Sequence, residues 1–261
     1  MSTADAVFPT EPGPLREALD ALLRGAAPEP IEGEILALIV PDSNRLAVAP
    51  LAAEAYALVA DRADTYDIVT IVSPSHEGGF DRIAVCPVEK YRTPLGAVPV
   101  NDRIRNELCD EDDDIFLDDK GHYHTEGVDV QLPYLQHLWG EGTFDTVPIV
   151  MGRESPTFCH ELGNALGEVM YGQRMLLVAT ADLLEVEDGA LDRFVQAVED
   201  FDTSTLMHLL GSEQIRMEGM GAVITAVFAA QRRRANRARV LRVQEPEGSQ
   251  SGALACVLWR A

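Results

Sequence analysis

Three apolar segments of strand length each run into an acidic side chain. Ile35 to Val40 (ILALIV) is followed by Pro41-Asp42-Ser43, and Asp67 to Val72 (DIVTIV) by Ser73-Pro74-Ser75-His76-Glu77-Gly78-Gly79. Met175 to Thr180 continues as Ala181-Asp182-Leu183-Leu184-Glu185. Ligands of open α/β sheets bind beyond the carboxyl ends of the parallel strands, so these acids, with His76 among them, are candidates for chemistry. Clustered carboxylates repel, and a dry site cannot keep all of them ionised without a cation or shared protons. Carboxylate oxygens suit Mg²⁺, Ca²⁺ or Mn²⁺ better than Fe, Cu or Zn. His76 could then serve as general acid or base, or as one ligand. In the alternative reading the acids line an open, wet pocket that holds no metal.

These residues need a scaffold. A strand at 35–40, a helix at 50–59 and a second buried strand at 67–72 form a βαβ unit, the mark of a parallel sheet covered on both faces. Short strands are expected at 82–85 and 98–100, around a turn at Tyr91-Arg92-Thr93-Pro94. Helical spacing covers Leu15 to Leu23 and Val128 to Trp139, where Pro133 sits in the first turn or kinks the helix. Strands at 146–151 and 175–180 flank a helix at 156–171. Helices at 191–201, 203–210 and 221–234 precede closing strands at 239–243 and 253–259. No repeat, linker or break in composition divides the chain, so one α/β domain over residues 1–261 is expected.

The chain carries 43 Asp and Glu against 21 Lys and Arg, a formal net charge of −22, and only two lysines, Lys90 and Lys120. Such a field repels nucleic acid and anionic membranes and attracts cations. High acid with scarce lysine also fits a protein of concentrated salt, where self-repulsion is screened. No apolar run is long enough to cross a bilayer, and Met1 to Val7 lacks the pattern of a signal peptide; a cytoplasmic location is the expectation. Cys86, Cys109, Cys159 and Cys256 form no CxxC pair and read as core residues of a reducing compartment. Arg232-Arg233-Arg234 is the one basic cluster. It reads as complementing a helix dipole, the other reading being a phosphate or nucleic-acid patch. Asp110 to Asp114 reads as a solvated loop or helix end. His137, His160 and His208 read as surface or boundary residues. His122 and His124 share a face if their segment is a strand, and His124 is then a further candidate for the pocket.

In sequence order, several segments resemble the Memo family. ALIVPDSN is similar to its strand ending in Ala-Pro-His-Ala-Gly, SPSHEGG to its Gly-Pro-Ser-His-His, and YRTPLG to its Tyr-Arg-Thr-Pro-Leu. TEGVDVQLPYLQ is similar to its Glu-His-Ser-Ile-Glu-Val-Gln-Leu-Pro, TADLLE to its Ser-Ser-Asp followed by His, and Glu218-Gly219 to its Cys-Gly. The resemblance implies a three-layer α/β/α sandwich around a mostly parallel sheet, like class III extradiol dioxygenases, with one metal site at the strand ends. It also implies metal-dependent oxidation or an adaptor role, and radical-SAM and AMMECR-type partners. Carried over singly, Asp42, Glu77, Glu126 and Glu185 stand for histidines and Glu218 for the cysteine, while His76 and Asp182 are kept. The resemblance therefore makes Asp42, Glu77 and Glu218 the metal candidates, His76 the catalytic one, and Glu126, Asp182 and Glu185 pocket residues. The competing expectation is an inactive binding or scaffold module that keeps the fold and takes a small molecule, a cationic ligand or a protein partner. Metal-assisted hydrolysis is a third.

Overall fold

The computed structural model describes residues 6–77, 80–111, 114–122, 126–212 and 214–261. Its centre is four parallel strands: β1 (Glu34–Val40), β8 (Met175–Thr180), β2 (Ile68–Pro74) and β7 (Asp145–Met151), adjacent in that order. Their continuous apolar runs are buried along nearly their whole length, as strands covered on both faces must be. Antiparallel strands extend both flanks. Beyond β1 lie β12 (Gly252–Arg260), β9 (Asp182–Val186) and β10 (Ile215–Glu218), with β11 (Arg237–Gln244) also paired to β12. Beyond β7 lies β3 (Ile83–Val85), antiparallel to it, and then β6 (Ile115–Leu117), parallel to β3. The expected parallel sheet is thus the core of a mixed sheet of ten strands among the described residues.

Alternation along β1 creates the three layers. Ala37 and Ile39 join one core with α3 (Asp102–Glu111), α5 (Pro156–Val169), α6 (Ala190–Glu199), α7 (Thr203–Leu210) and α8 (Met220–Arg232). Leu38 and Val40 face the other core, with α1 (Pro12–Gly25), α2 (Ala49–Ala57) and α4 (Glu126–Trp139). Successive strand residues point to opposite faces, so β1, β2 and β8 each serve both cores. Among the described residues, no helix is long and apolar enough to cross a membrane.

Several expectations are corrected. Tyr91 to Thr93, read as a turn, belongs to β4 (Lys90–Thr93), which pairs with β5 (Gly96–Pro99). The reversal is instead made by Thr93, whose hydroxyl donates to Gly96 O at 3.0 Å and accepts from Leu95 N at 3.1 Å. Pro133 lies deep inside α4 rather than in its first turn. Burial of Val130, Leu132, Tyr134 and Leu135 around it outweighs the missing N–H, tertiary packing overriding propensity. Helix α3 and strands β6, β9 and β10 were not anticipated, being short or only partly buried. The acidic run begins at the end of α3, with positions 112 and 113 outside the described residues. His137 pairs with Asp20 at 2.9 Å, and His160 bonds Asn164 at 3.0 Å.

Helix α5 meets α8 at glycines. A Cβ on Gly163 would lie 2.5 Å from Phe228 Cβ, and one on Gly167 2.4 Å from Arg232 Cβ. Gly163→Ala improves helix propensity by about 1 kcal/mol, yet the clash forces the helices apart, a strain of about 1–3 kcal/mol. Net destabilisation is expected, read as a lower urea midpoint with an unchanged slope.

Candidate functional site

Asp42 is the first side chain beyond β1 able to ionise, and it is buried, at 1% exposure. Burying a carboxylate is costly unless other groups compensate it, and here several elements supply partners. The hydroxyl of Thr180, the last residue of β8, donates to Asp42 Oδ1 in a short hydrogen bond. His76, two residues past β2, places Nε2 at 2.7 Å from Asp42 Oδ2. The amino end of α4 presses on the same group. A Cβ on Gly127 would come within 2.4 Å of Asp42 Oδ1 and 2.9 Å of both Ser73 Cβ and Thr180 Oγ1, so glycine is needed for this approach. Gln131, one turn further along α4, donates to Pro41 O at 3.0 Å and accepts from the Tyr56 hydroxyl at 2.9 Å.

The other ring nitrogen of His76, Nδ1, lies 3.1 Å from Glu218 Oε1. The imidazole is clamped between two carboxylates. Its pKa is pushed up to about 10, first by the hydrogen bond to Asp42 and then by that to Glu218, against a smaller opposing effect of burial. The same hydrogen bond lowers the pKa of Glu218. At neutral pH His76 is therefore an imidazolium, donating through both nitrogens.

Two more acids border this cluster. Asp182 Oδ1 accepts the Asp42 N–H at 3.0 Å; burial and then the charge of Asp42 push its pKa up to about 6. Glu154 accepts from Gly219 N at 2.7 Å and Gly221 N at 2.9 Å at the start of α8. Burial pushes it up to about 7, opposed by these two backbone bonds and aided by the charges of Glu218 and Asp42. Gly219, with φ +89°, makes the sharp entry into α8, and any Cβ there would lie 2.1 Å from Thr180 O. A cleft of about 440 Å³ opens beside Glu154 and Glu218, floored by Met151, Leu184, Leu210 and Met217. Among the described residues that line it, Arg216 is the one basic side chain, and it is paired with Glu185 at 2.6 Å.

The structure thus brings Asp42, His76, Asp182 and Glu218 together and leaves the other candidates apart. Glu77 turns its carboxylate to Gly121 N at 3.3 Å. Glu126 is exposed and lines a separate cavity of about 220 Å³ with Phe8, Arg92 and Asp129. It precedes Gly127 by one residue, which on a helix is a rotation of about 100° away from Asp42. Glu185 is 67% exposed. A bulge in β9 between Leu183 and Glu185 sets Glu185 opposite Arg216, whereas Asp182 lies opposite Glu218. His124 lies outside the described residues, and His122 Nε2 bonds Ala84 O at 3.1 Å. Thr180, Gln131, Gly127 and Glu154 went unrecognised. Glu154 had a signal: it follows β7 just as Asp42 follows β1.

The donors are already engaged with one another: both oxygens of Asp42, both nitrogens of His76, and Oε1 of Glu218. Among the described residues, no group of three or more His, Cys, Asp or Glu side chains is arranged to hold a metal ion. An imidazolium lies between the carboxylates of Asp42 and Glu218, two of the residues that the resemblance makes metal candidates.

Comparison with known proteins agrees with this architecture. Residues 1–255 match the family described as "Memo-like protein". A "MEMO1 family protein" of Thermotoga neapolitana is 31% identical over 208 residues, covering 76% of this chain and 74% of the relative. One from Thermotoga maritima is 30% identical over 210 residues, covering 77% and 75%. Among solved structures, an uncharacterized protein of Escherichia coli K12 superposes with a TM-score of 0.59 at 12% identity, over 87% of this chain and all of that one. That likeness concerns the fold alone.

The two raised acids make stability depend on pH. A buried acid whose folded pKa exceeds its unfolded value opposes folding once ionised, so stability falls as pH rises from the unfolded to the folded pKa. For Asp182 that window runs from 3.8 to about 6. Asp182→Asn keeps the acceptor for Asp42 N and removes the charge. It should stabilise the protein by about 1–2 kcal/mol at pH 8 and by little near pH 4, as read from denaturation midpoints at the two pH values.

Proposed function

This chain belongs to the Memo family, and we propose that its strand-end cleft is a ligand-binding site organised around a captive imidazolium in place of a metal ion. The observation that carries the reading is the double clamp on His76, whose two nitrogens lie 2.7 Å from Asp42 and 3.1 Å from Glu218. A cation entering between these carboxylates would have to displace a charge already held by two hydrogen bonds. Such charge-assisted bonds are about twice as strong as neutral ones. The free surface of the site is the cleft beside it, where Glu154 and Glu218 face an apolar floor. Two carboxylates over methionine and leucine side chains favour a small ligand with a cationic group and an apolar body. In this reading His76 fixes the position of Glu218 and neutralises Asp42, and the chain acts as a binding module.

A second reading keeps a hard divalent cation such as Mg²⁺, Ca²⁺ or Mn²⁺. It is favoured by the nearness of Asp42 and Glu218 to Glu154, whose ionisation their negative charges oppose and a cation would relieve. Those acids would hold the ion if His76 swung out.

Thermal unfolding with millimolar Mg²⁺, Ca²⁺, Mn²⁺, Fe²⁺ or Zn²⁺, with elemental analysis of the purified protein, separates the two. The captive-imidazolium reading expects no bound metal and no saturable shift in the wild type. His76→Ala should lose about 3 kcal/mol of stability by stranding buried Asp42 and should gain a stabilising response to a divalent ion. A saturable shift in the wild type that disappears in Glu218→Gln would establish the metal reading instead. Stability should also fall as pH rises from 6.5 through about 10, because a raised histidine pKa stabilises only while the ring keeps its proton; His76→Ala should flatten that part of the profile.

A further inference from the structure

The opposite end of the sheet carries a feature the strand-end site does not use. At the amino ends of β1 and β8, a cavity of about 360 Å³ is lined by Glu34, Tyr171, Gln173, Arg233, Arg234 and Arg260. Three guanidinium groups face one carboxylate in a chain whose net charge is −22. Arg233 is committed to the framework, donating to Met175 O at 3.1 Å, Gln173 O at 3.3 Å and Glu34 Oε1 at 3.0 Å. Its role is therefore to tie α8 to the start of β8, more than to neutralise the dipole of its own helix. Arg260 donates to the other oxygen of Glu34, so the single carboxylate is shared by two cations.

Arg234 differs from both. Among the described residues it forms no ion pair, and it is exposed. Its backbone is left-handed, at φ +66°. Arg234 N bonds Gln231 O and Ala235 N bonds Ala230 O, both at 2.8 Å. This is the helix-ending arrangement whose left-handed position is ordinarily glycine. A side chain there carries a steric cost, and such outliers point to function when the residue has no structural partner. Beside it, Tyr171 is 71% exposed, more than any other large apolar side chain described. An unpaired arginine, excess positive charge and an uncovered aromatic ring share one cavity.

We propose that this cavity is a second ligand site, for a small phosphate ester whose flat ring lies on Tyr171 while Arg234 and Arg260 hold the phosphate. Guanidinium groups bind phosphate oxygens in a planar, two-bonded geometry, and an aromatic face accepts a planar ring without needing its edge groups. The site is independent of the strand-end cleft: α8 starts at one and ends near the other, a length of about 20 Å for its 13 residues.

The test uses the whole protein with adenosine 5′-monophosphate as probe, and with inorganic phosphate, adenosine and KCl as controls at one ionic strength. Calorimetric binding and a thermal shift are expected with the nucleotide, weaker with phosphate, and absent with adenosine or KCl. Arg234→Gly relieves the left-handed position, so its melting temperature without ligand should rise while nucleotide affinity falls roughly tenfold or more. Tyr171→Ala should reduce the nucleotide to the affinity of phosphate alone. Absence of a nucleotide response beyond KCl, or an undiminished response in Arg234→Gly, overturns the proposal. Equal binding of phosphate and nucleotide by the wild type overturns the role given to the ring.

Discussion

A carboxylate at 1% exposure, beyond the end of the first strand, is the constraint around which this molecule is arranged. Asp42 cannot stay there without donors, and each donor or contact belongs to the end of a different element: Thr180 closes β8, His76 follows β2, and Gly127 opens α4. The three parallel strands β1, β8 and β2 must therefore end together, and the helix on one face must approach closely enough to forbid a Cβ. On the other face, Gly219 turns the chain sharply over Thr180 and sends α8 back along the sheet, with Glu154 bonding its first amides. The electrostatic requirement of one side chain and the packing of both helical layers are one problem with one solution.

The central βαβ frame was legible because buried parallel strands leave an unmistakable trace, continuous apolar runs of six or seven residues. Among the flanking strands β3, β11 and β12 are legible too, but β9 and β10 are not, because they are short and partly exposed and their pairing depends on partners distant in sequence. That difference explains the outcome at the site. Asp42 and His76 lie directly beyond legible strands and were found from them, and Asp182 follows a third. Glu185 joins Asp182 as a pocket residue only through the resemblance, and the bulge in β9 that sets it opposite Arg216 leaves no trace in the residue types. Glu154 is less legible although it too follows a legible strand, since Gly152 and Arg153 intervene. Gly127 and Thr180 carry no charge, and nothing in their residue types announces a contact that only the assembled sheet creates.

The acidic substitutions acquire a physical sense in this light. Where the family resemblance places a histidine, this chain has Asp42, next to a retained His76. Two neutral imidazoles have lone pairs to share and no charge of their own, so they invite a cation from outside. An aspartate beside a histidine needs none, because the proton that makes the imidazolium supplies the counter-charge. Glu218, standing where a cysteine is implied, completes the same exchange from the other side of the ring. A single replacement would balance the charge of the ring but leave one of its two N–H groups without a carboxylate. Replacement on both sides of His76 gives the ring two acceptors for its two N–H groups, with excess negative charge left at the cleft. Two of the positions where the resemblance implies soft-metal ligands, Asp42 and Glu218, thus hold an imidazolium between them, and this ion cluster is what the proposed recognition of a cationic ligand rests on.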